Sequence, residues 1–197
     1  MTAVTEVTIL PRTVLHRVTS YDAVVYDLDG TLVDLAVDWG AVAADVREVY
    51  VDANVDPPGS GLWDMLEGAT GYGVATEVEA AIAAHERAGA ETAPRLAHAD
   101  ELLERTVPVG VCSLNCEAAC RIALETYDLT HAVEAVVGRD TVPERKPAPE
   151  PLLETVDRLE AEPSDTLFVG DSERDELTAR RAGTDFEYVG DGPADVS

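Results

Sequence analysis

Two carboxylates, Asp27 and Asp29, stand two residues apart in Tyr26-Asp27-Leu28-Asp29-Gly30-Thr31, at the exit of the apolar run Ala23-Val24-Val25. In extended backbone, residues two apart point to the same side, so both carboxylates address one small volume while Gly30 lets the chain turn sharply. The pair offers a nucleophile beside an acid/base. A plain acidic turn in an acidic protein is the alternative, and it weakens as further polar groups are found beside later elements. Ser113 follows the apolar run Val107 to Cys112, and Gly170-Asp171-Ser172-Glu173-Arg174-Asp175 follows Thr166 to Val169. Lys146 precedes a helix starting near Pro149. Some of these have a purely local explanation: Ser113 or Asn115 can cap the next helix, and Asp171 and Asp175 suit a helix N-terminus. Lys146 resists one, because every other basic side chain among the fourteen is arginine. A lone lysine suggests a point cation that the planar arginine fork does not mimic.

Elements that must position these groups follow an alternating order. From about Thr92 the pattern runs helix, strand, helix, strand, helix, strand, helix, strand, with strands at Val107 to Cys112, Ala132 to Val137, Thr166 to Val169 and Phe186 to Val189. Short apolar strands alternating with helices imply a parallel sheet covered on both faces. The expected class is therefore α/β, a Rossmann-like doubly wound parallel sheet. A helix over Pro149 to Glu160 carries Leu152, Leu153, Val156 and Leu159, and the helix after Asp171 ends at Gly183, suited to a left-handed cap.

Between Asp34 and Glu91 the alternation stops. Trp39, Val42, Val46 and Val49 form one helical stripe, and Val74, Val78, Ala81, Ile82 and His85 form another. This predicts a small helical cap over 34–91, inserted after the first strand at the carboxyl edge where open α/β sheets bind ligands. The core is then 1–33 and 92–197, with residues 1–20 as an N-terminal extension. In the cap, Trp39 and Trp63 are expected to pack internally. Arg87 has Glu91 four residues on as a partner, whereas Arg47 has no acid at helical spacing and is the candidate for a substrate carboxylate or hydroxyl.

Composition limits the partners. Thirty-nine acidic residues against fourteen basic ones give a formal charge of −25, which repels nucleic acid phosphates and anionic membranes. Hydrophobic residues make up 46% of the chain, enough to fold. One lysine, two phenylalanines and this acidity look like adaptation to a high-salt cytoplasm: at molar salt the Debye length is about 3 Å and self-repulsion is suppressed. Loss of helical circular dichroism as KCl is diluted is the expected result, and equal stability at low salt would count against it. With no bilayer-length apolar run and no signal-peptide pattern near Met1, a cytoplasmic location is expected. Cys112, Cys116 and Cys120, spaced by four, suit one buried helix face better than a metal knuckle or disulfide framework. Oligomeric state is not legible.

In order, Asp27-Leu28-Asp29-Gly30-Thr31, Ser113, Lys146 before Pro147, and Gly170-Asp171-Ser172 with Asp175 resemble the four motifs of the haloacid dehalogenase-like superfamily. Within it, the chain is similar to phosphoglycolate-phosphatase-like hydrolases with a small helical cap. The likeness covers residues 21 to 190. One departure is Leu114, standing where the family often has Asn after the second-motif Ser or Thr, with Asn115 following. The resemblance implies a magnesium-dependent phosphomonoester hydrolase for a small phosphorylated metabolite, working through an aspartyl phosphate. Asp27 would be the nucleophile, Asp29 the acid/base, and Lys146 the cation that favours ionised Asp27. Asp27, Asp171 and the Asp29 carbonyl would ligate Mg2+, with Asp175 acting through water. Ser113 and Asn115 would meet the phosphoryl group with Gly30 and Thr31, and Thr31 would also orient the loop.

Rivals of the same fold are weighed on single residues. A dehalogenase needs no leaving-group acid at Asp29, a phosphonate hydrolase needs a cap lysine, and an ion-pumping ATPase needs membrane spans. A sugar-phosphate mutase uses the same pair and stays open, as does a non-catalytic phosphate-binding or regulatory protein.

Overall fold

The computed structural model describes residues 20–190; the expectations for the N-terminal extension fall almost wholly outside them. Five parallel strands form one sheet in the order β3-β2-β1-β4-β5. They are β1 (Ala23–Tyr26), β2 (Val109–Cys112), β3 (Ala135–Val137), β4 (Thr166–Gly170) and β5 (Asp185–Tyr188). The first strand is central because it is buried on both faces: Val24 and Tyr26 enter one apolar layer, Ala23 and Val25 the other. From β1 the chain builds outward to β2 and β3, then crosses to β4 and β5. Strand order thus reverses at β1, and the crevice outside its carboxyl end is where such sheets bind ligands.

Helices cover both faces. α4 (His98–Leu103) and α5 (Glu117–Thr126) bury Ala99, Leu102, Ala119, Cys120, Ala123 and Leu124 against one side. α6 (Glu150–Arg158) and α7 (Glu173–Ala182) cover the other with Leu152, Val156, Ala179 and Ala182. Gly183 closes α7 in the left-handed region, as expected, at φ 80°. Leu153 is a correction: expected on one side with Leu152, Val156 and Leu159, it is exposed to solvent, because α6 turns Leu152, Thr155, Val156 and Leu159 to the sheet and leaves Leu153 at the edge of that face.

Residues between β1 and β2 form three helices, α1 (Trp39–Asp52), α2 (Leu62–Tyr72) and α3 (Ala75–Ala90), with a core of their own. Val42, Val46 and Tyr50 of α1 meet Met65, Leu66 and Ala69 of α2 and Val78 and Ile82 of α3. Asp38 caps α1 by accepting from the Gly40 and Ala41 N–H groups at 2.9 and 3.1 Å. The α2 segment, which shows no long stripe in the sequence, ends at Gly73 with φ 74°.

The cysteines are buried as expected, but not on one helix face. Cys112 ends β2, Cys116 precedes α5 and only Cys120 lies within it. Spacing by four here spans a strand, a turn and a helix, with Cys112 in one apolar layer and Cys116 and Cys120 in the other. Burial pushes the Cys112 thiol up to about 12 and that of Cys116 to about 11, so both stay protonated. No helix among the described residues is long and apolar enough to cross a membrane.

Candidate active site

The carboxyl ends of β1, β2 and β4 converge because they are neighbours in the sheet, and the polar groups noted in the sequence follow them. Asp27 leaves β1 and is tied to β4 by its own N–H, which donates to the Val169 carbonyl at 2.9 Å. Lys146 Nζ spends all three of its protons there, on Asp27 Oδ1 at 2.9 Å, the Cys112 carbonyl at 3.1 Å and Asp175 Oδ1 at 2.5 Å. The Lys146–Pro147 peptide is cis. Ser172 forms a reciprocal capping box with Asp175 at the start of α7, which orients the Asp175 carboxylate toward Lys146.

Asp27, Asp171 and Asp175 each bring one carboxylate oxygen within 4.8 Å of the others. Gly30, at φ 78°, is needed for this cluster: a Cβ there would stand 2.2 Å from Asp171 Oδ2. An all-oxygen set of this kind suits a hard divalent cation such as Mg2+. Asp29 faces the same volume but is held differently, its Oδ1 accepting from the Leu35 N–H at 2.7 Å.

Electrostatics separate the groups. Burial pushes the Asp27 carboxyl up, the Lys146 charge opposes that shift, and Asp175 adds to it. Burial alone would lower the Lys146 ammonium, but Asp27 and Asp175 outweigh it and keep Lys146 charged. Asp29 is raised from 3.8 to about 6, chiefly by burial; the Leu35 N–H works against the rise, and Asp34, Asp171 and Glu86 add to it.

Above these groups lies a cavity of about 210 Å³ between the sheet edge and the helical insert. Asp27, Asp29, Ser113, Leu114, Asn115 and Asp171 form its floor from the α/β side, and Trp39, Leu62, Trp63, Leu66, Ile82 and Glu86 line it from the insert. Ser113 Oγ donates to Asn115 Oδ1 at 3.0 Å, so these two residues act as one unit and Leu114 between them also reaches the wall. Thr31 is fully buried with its hydroxyl unpartnered among the described residues; it does not line the cavity, so direct phosphate contact is not its place.

Three expectations for the insert are corrected. Trp39 and Trp63 do not pack internally: both are about two-fifths exposed (43% and 41%) and both line the cavity. The insert core is already filled by smaller side chains, leaving the indoles for the cleft. Arg47 lies on the exposed side of α1, where Nη1 donates to the Ala43 carbonyl at 3.5 Å and Nη2 to the Ser60 carbonyl at 3.3 Å. Backbone acceptors replaced the missing acidic partner. No ion pair joins Arg87 to Glu91 among the described residues, and both side chains are exposed.

A buried ionic knot in the cavity wall was missed in the sequence. Arg139, just after β3, commits all five guanidinium N–H groups: Nε and one Nη2 proton to Glu79, the other Nη2 proton and one from Nη1 to Glu86, and the last to the Leu114 carbonyl. Glu86 is fully buried and also accepts from the Cys116 N–H at 3.0 Å and Asn115 Nδ2 at 3.4 Å. Helix α3 is thereby tied to the loop holding Ser113 and Asn115. One signal could have exposed it: Val78, Ile82 and Glu86 recur every four residues, placing a glutamate on an apolar stripe.

The family model of haloacid dehalogenase-like hydrolases matches residues 73–196. A phosphoglycolate phosphatase of Rhodospirillum rubrum is 34% identical over 183 residues, covering 82% of this chain and 76% of that protein. Another, from Aquifex aeolicus, is 30% identical over 173 residues, covering 82% and 81%. Among solved structures, a HAD-superfamily hydrolase of subfamily IA from Geobacter sulfurreducens superposes with a TM-score of 0.57 at 26% identity, covering 84% of this chain and 88% of that one. Similarity that runs through most of the chain, on a parallel sheet whose reversal point gathers the acidic pair, the lysine and the second acidic loop, has one source: the chain belongs to the haloacid dehalogenase-like hydrolase family.

Proposed function

We propose that the protein is a magnesium-dependent phosphomonoester hydrolase acting on a small phosphorylated metabolite through an aspartyl phosphate on Asp27. The observation that carries this is the pairing of Asp27, held by Lys146 at 2.9 Å, with Asp29 facing the same cavity at a pKa of about 6. An ionised Asp27 attacks phosphorus, and the ester bond to the leaving oxygen breaks. A carboxyl near 6 is partly protonated at neutral pH, so Asp29 donates its proton to that oxygen and later removes one from the water that hydrolyses the acyl phosphate. The Ser113 hydroxyl, whose one proton rests on Asn115 Oδ1 at 3.0 Å, turns to donate to a phosphoryl oxygen when phosphate is bound, and residues 34–91 serve as the cap that shields the intermediate from bulk water.

Asp27, Asp171 and Asp175, with the Asp29 carbonyl, would hold the Mg2+; when bound, the ion supplies charge neutralisation for the phosphoryl group and the crowded carboxylates. Its binding should depend on pH in a definite direction. Asp27 and Asp171 both have folded pKa values raised above the unfolded ones, so the cation-free fold is favoured by their protonated forms. For Asp27 that contribution is complete below about 4 and is lost as pH rises through about 7. Mg2+ competes with those protons, so the rise in Tm on adding MgCl2 should be larger at pH 7.5 than at pH 5. A pH-independent Tm gain would remove these carboxylates from the metal site.

The test of function is phosphate release from a panel of phosphomonoesters, including phosphoglycolate, sugar phosphates and nucleotides, in molar KCl with and without MgCl2. Magnesium-dependent release supports the hydrolase. Transfer of phosphate between sugar positions without release would identify a mutase instead, and folded protein with neither activity would be a binding protein. The molar salt follows from the acidic composition and the cytoplasmic, high-salt setting proposed for this chain.

A further inference from the structure

We infer that the ester cleaved here has an uncharged, apolar leaving group, of the size of one planar ring, rather than an acidic one; this rests on the phosphomonoesterase reading. The two curated relatives described above are named for phosphoglycolate, whose leaving group carries a carboxylate. Recognition of that carboxylate requires a cation or a set of donors left free beyond the phosphate subsite.

Among the described residues the cavity provides no such cation. Arg139 is the only lysine or arginine among them that lines it, and all five of its N–H groups are committed to Glu79, Glu86 and the Leu114 carbonyl. Lys146 lies beneath the floor with all three protons engaged. Arg174 stacks on the Trp63 ring at 4.8 Å and is not part of the wall. Glu86, which lines the cavity too, is Arg139's partner in the same knot, so together they present no net positive charge to an acidic leaving group.

What the insert offers instead is Trp39, Leu62, Trp63, Leu66 and Ile82. Two half-exposed indoles on a cleft are faces on which a flat apolar body can stack. At about 210 Å³ the space is smaller than the usual range of about 300–1,000 Å³ for ligand pockets, so a body much larger than one ring does not fit beside the phosphoryl group.

The decisive comparison keeps the leaving oxygen and ring alike and adds one para carboxylate: benzyl phosphate against 4-carboxybenzyl phosphate, with phosphoglycolate alongside, all with MgCl2 in molar KCl. We expect kcat/KM for benzyl phosphate to exceed that of both acidic esters by at least about tenfold. Trp39→Ala and Trp63→Ala should each raise KM for benzyl phosphate several-fold while leaving inhibition by inorganic phosphate unchanged. Equal or better turnover of 4-carboxybenzyl phosphate or phosphoglycolate overturns the inference while leaving the phosphatase intact. Should folded protein hydrolyse none of the three but cleave another ester of the panel above, the inference is overturned; where it cleaves no ester at all, the phosphatase reading fails by itself, and the inference is then judged by binding of the two benzyl esters measured through tryptophan fluorescence. Tighter binding of the uncharged ester sustains it, and equal or tighter binding of the carboxylated one overturns it.

Discussion

Asp27→Asn should lower magnesium-saturated phosphate release by about 10⁴-fold or more, the scale on which enzymes lose activity when the nucleophile of a covalent mechanism is removed. The amide keeps the shape of the carboxylate and its oxygen can still accept from Lys146, whose other partners, Asp175 and the Cys112 carbonyl, are untouched. Folding should therefore survive. Burial already disfavours the Asp27 charge, so a neutral group there removes a desolvation cost as well as an ion pair. The measurement is phosphate release beside a thermal melt of the same sample. A variant with wild-type Tm and only a few-fold loss of rate would place the nucleophile elsewhere; a collapsed Tm would show that Asp27 is needed for the fold.

Arg139→Met should destabilise the protein by about 3–5 kcal/mol, the usual cost of stripping one partner from a buried ionic group. Glu86 is fully buried and Glu79 three-quarters so, with side-chain exposures of 1% and 24%. Without the guanidinium, both carboxylates stay in the wall with too few donors, and only the Cys116 N–H and Asn115 amide remain for Glu86. Since small domains have about 5–15 kcal/mol of stability in all, the loss should be plain in urea unfolding carried out in molar KCl. Adding Glu86→Leu to the variant removes the stranded charge and should return part of that stability, by the same logic that makes buried ion pairs replaceable by apolar groups. If Arg139→Met costs under about 1 kcal/mol, the knot is not holding the insert to the sheet.

Much of this molecule was legible one residue at a time. The parallel sheet follows from short apolar strands alternating with helices, and its burial on both faces is why Val24-Val25 and Val169 carry no polar residue among them. The convergence of Asp27, Lys146, Asp171 and Asp175 was legible for a related reason: Asp27 and Asp171 lie just beyond β1 and β4, Asp175 in the first turn of α7 and Lys146 shortly before α6, and parallel strands bring those strand ends and helix starts to one edge. Strand ends were less sharp. Ala132 belongs to a single tight helical turn, with β3 starting at Ala135, because hydrophobicity marks burial and not hydrogen bonding.

Only the tertiary structure decided the walls of the cavity. Arg139 meets Glu79 and Glu86 across sequence separations of 60 and 53 residues, and no local pattern specifies which distant carboxylates an arginine will join. Trp39 and Trp63 read as packing residues because indoles are the largest apolar side chains, yet the insert closes its own core with Val42, Val46, Tyr50, Met65 and Ile82. Arg47 read as free because only helical neighbours can be counted along a sequence, while the Ser60 carbonyl that holds it arrives from another segment. Chemistry placed at strand ends is local and periodic, so the sequence alone determined it; selectivity depends on how one helix layer docks on another, and that is a property of packing.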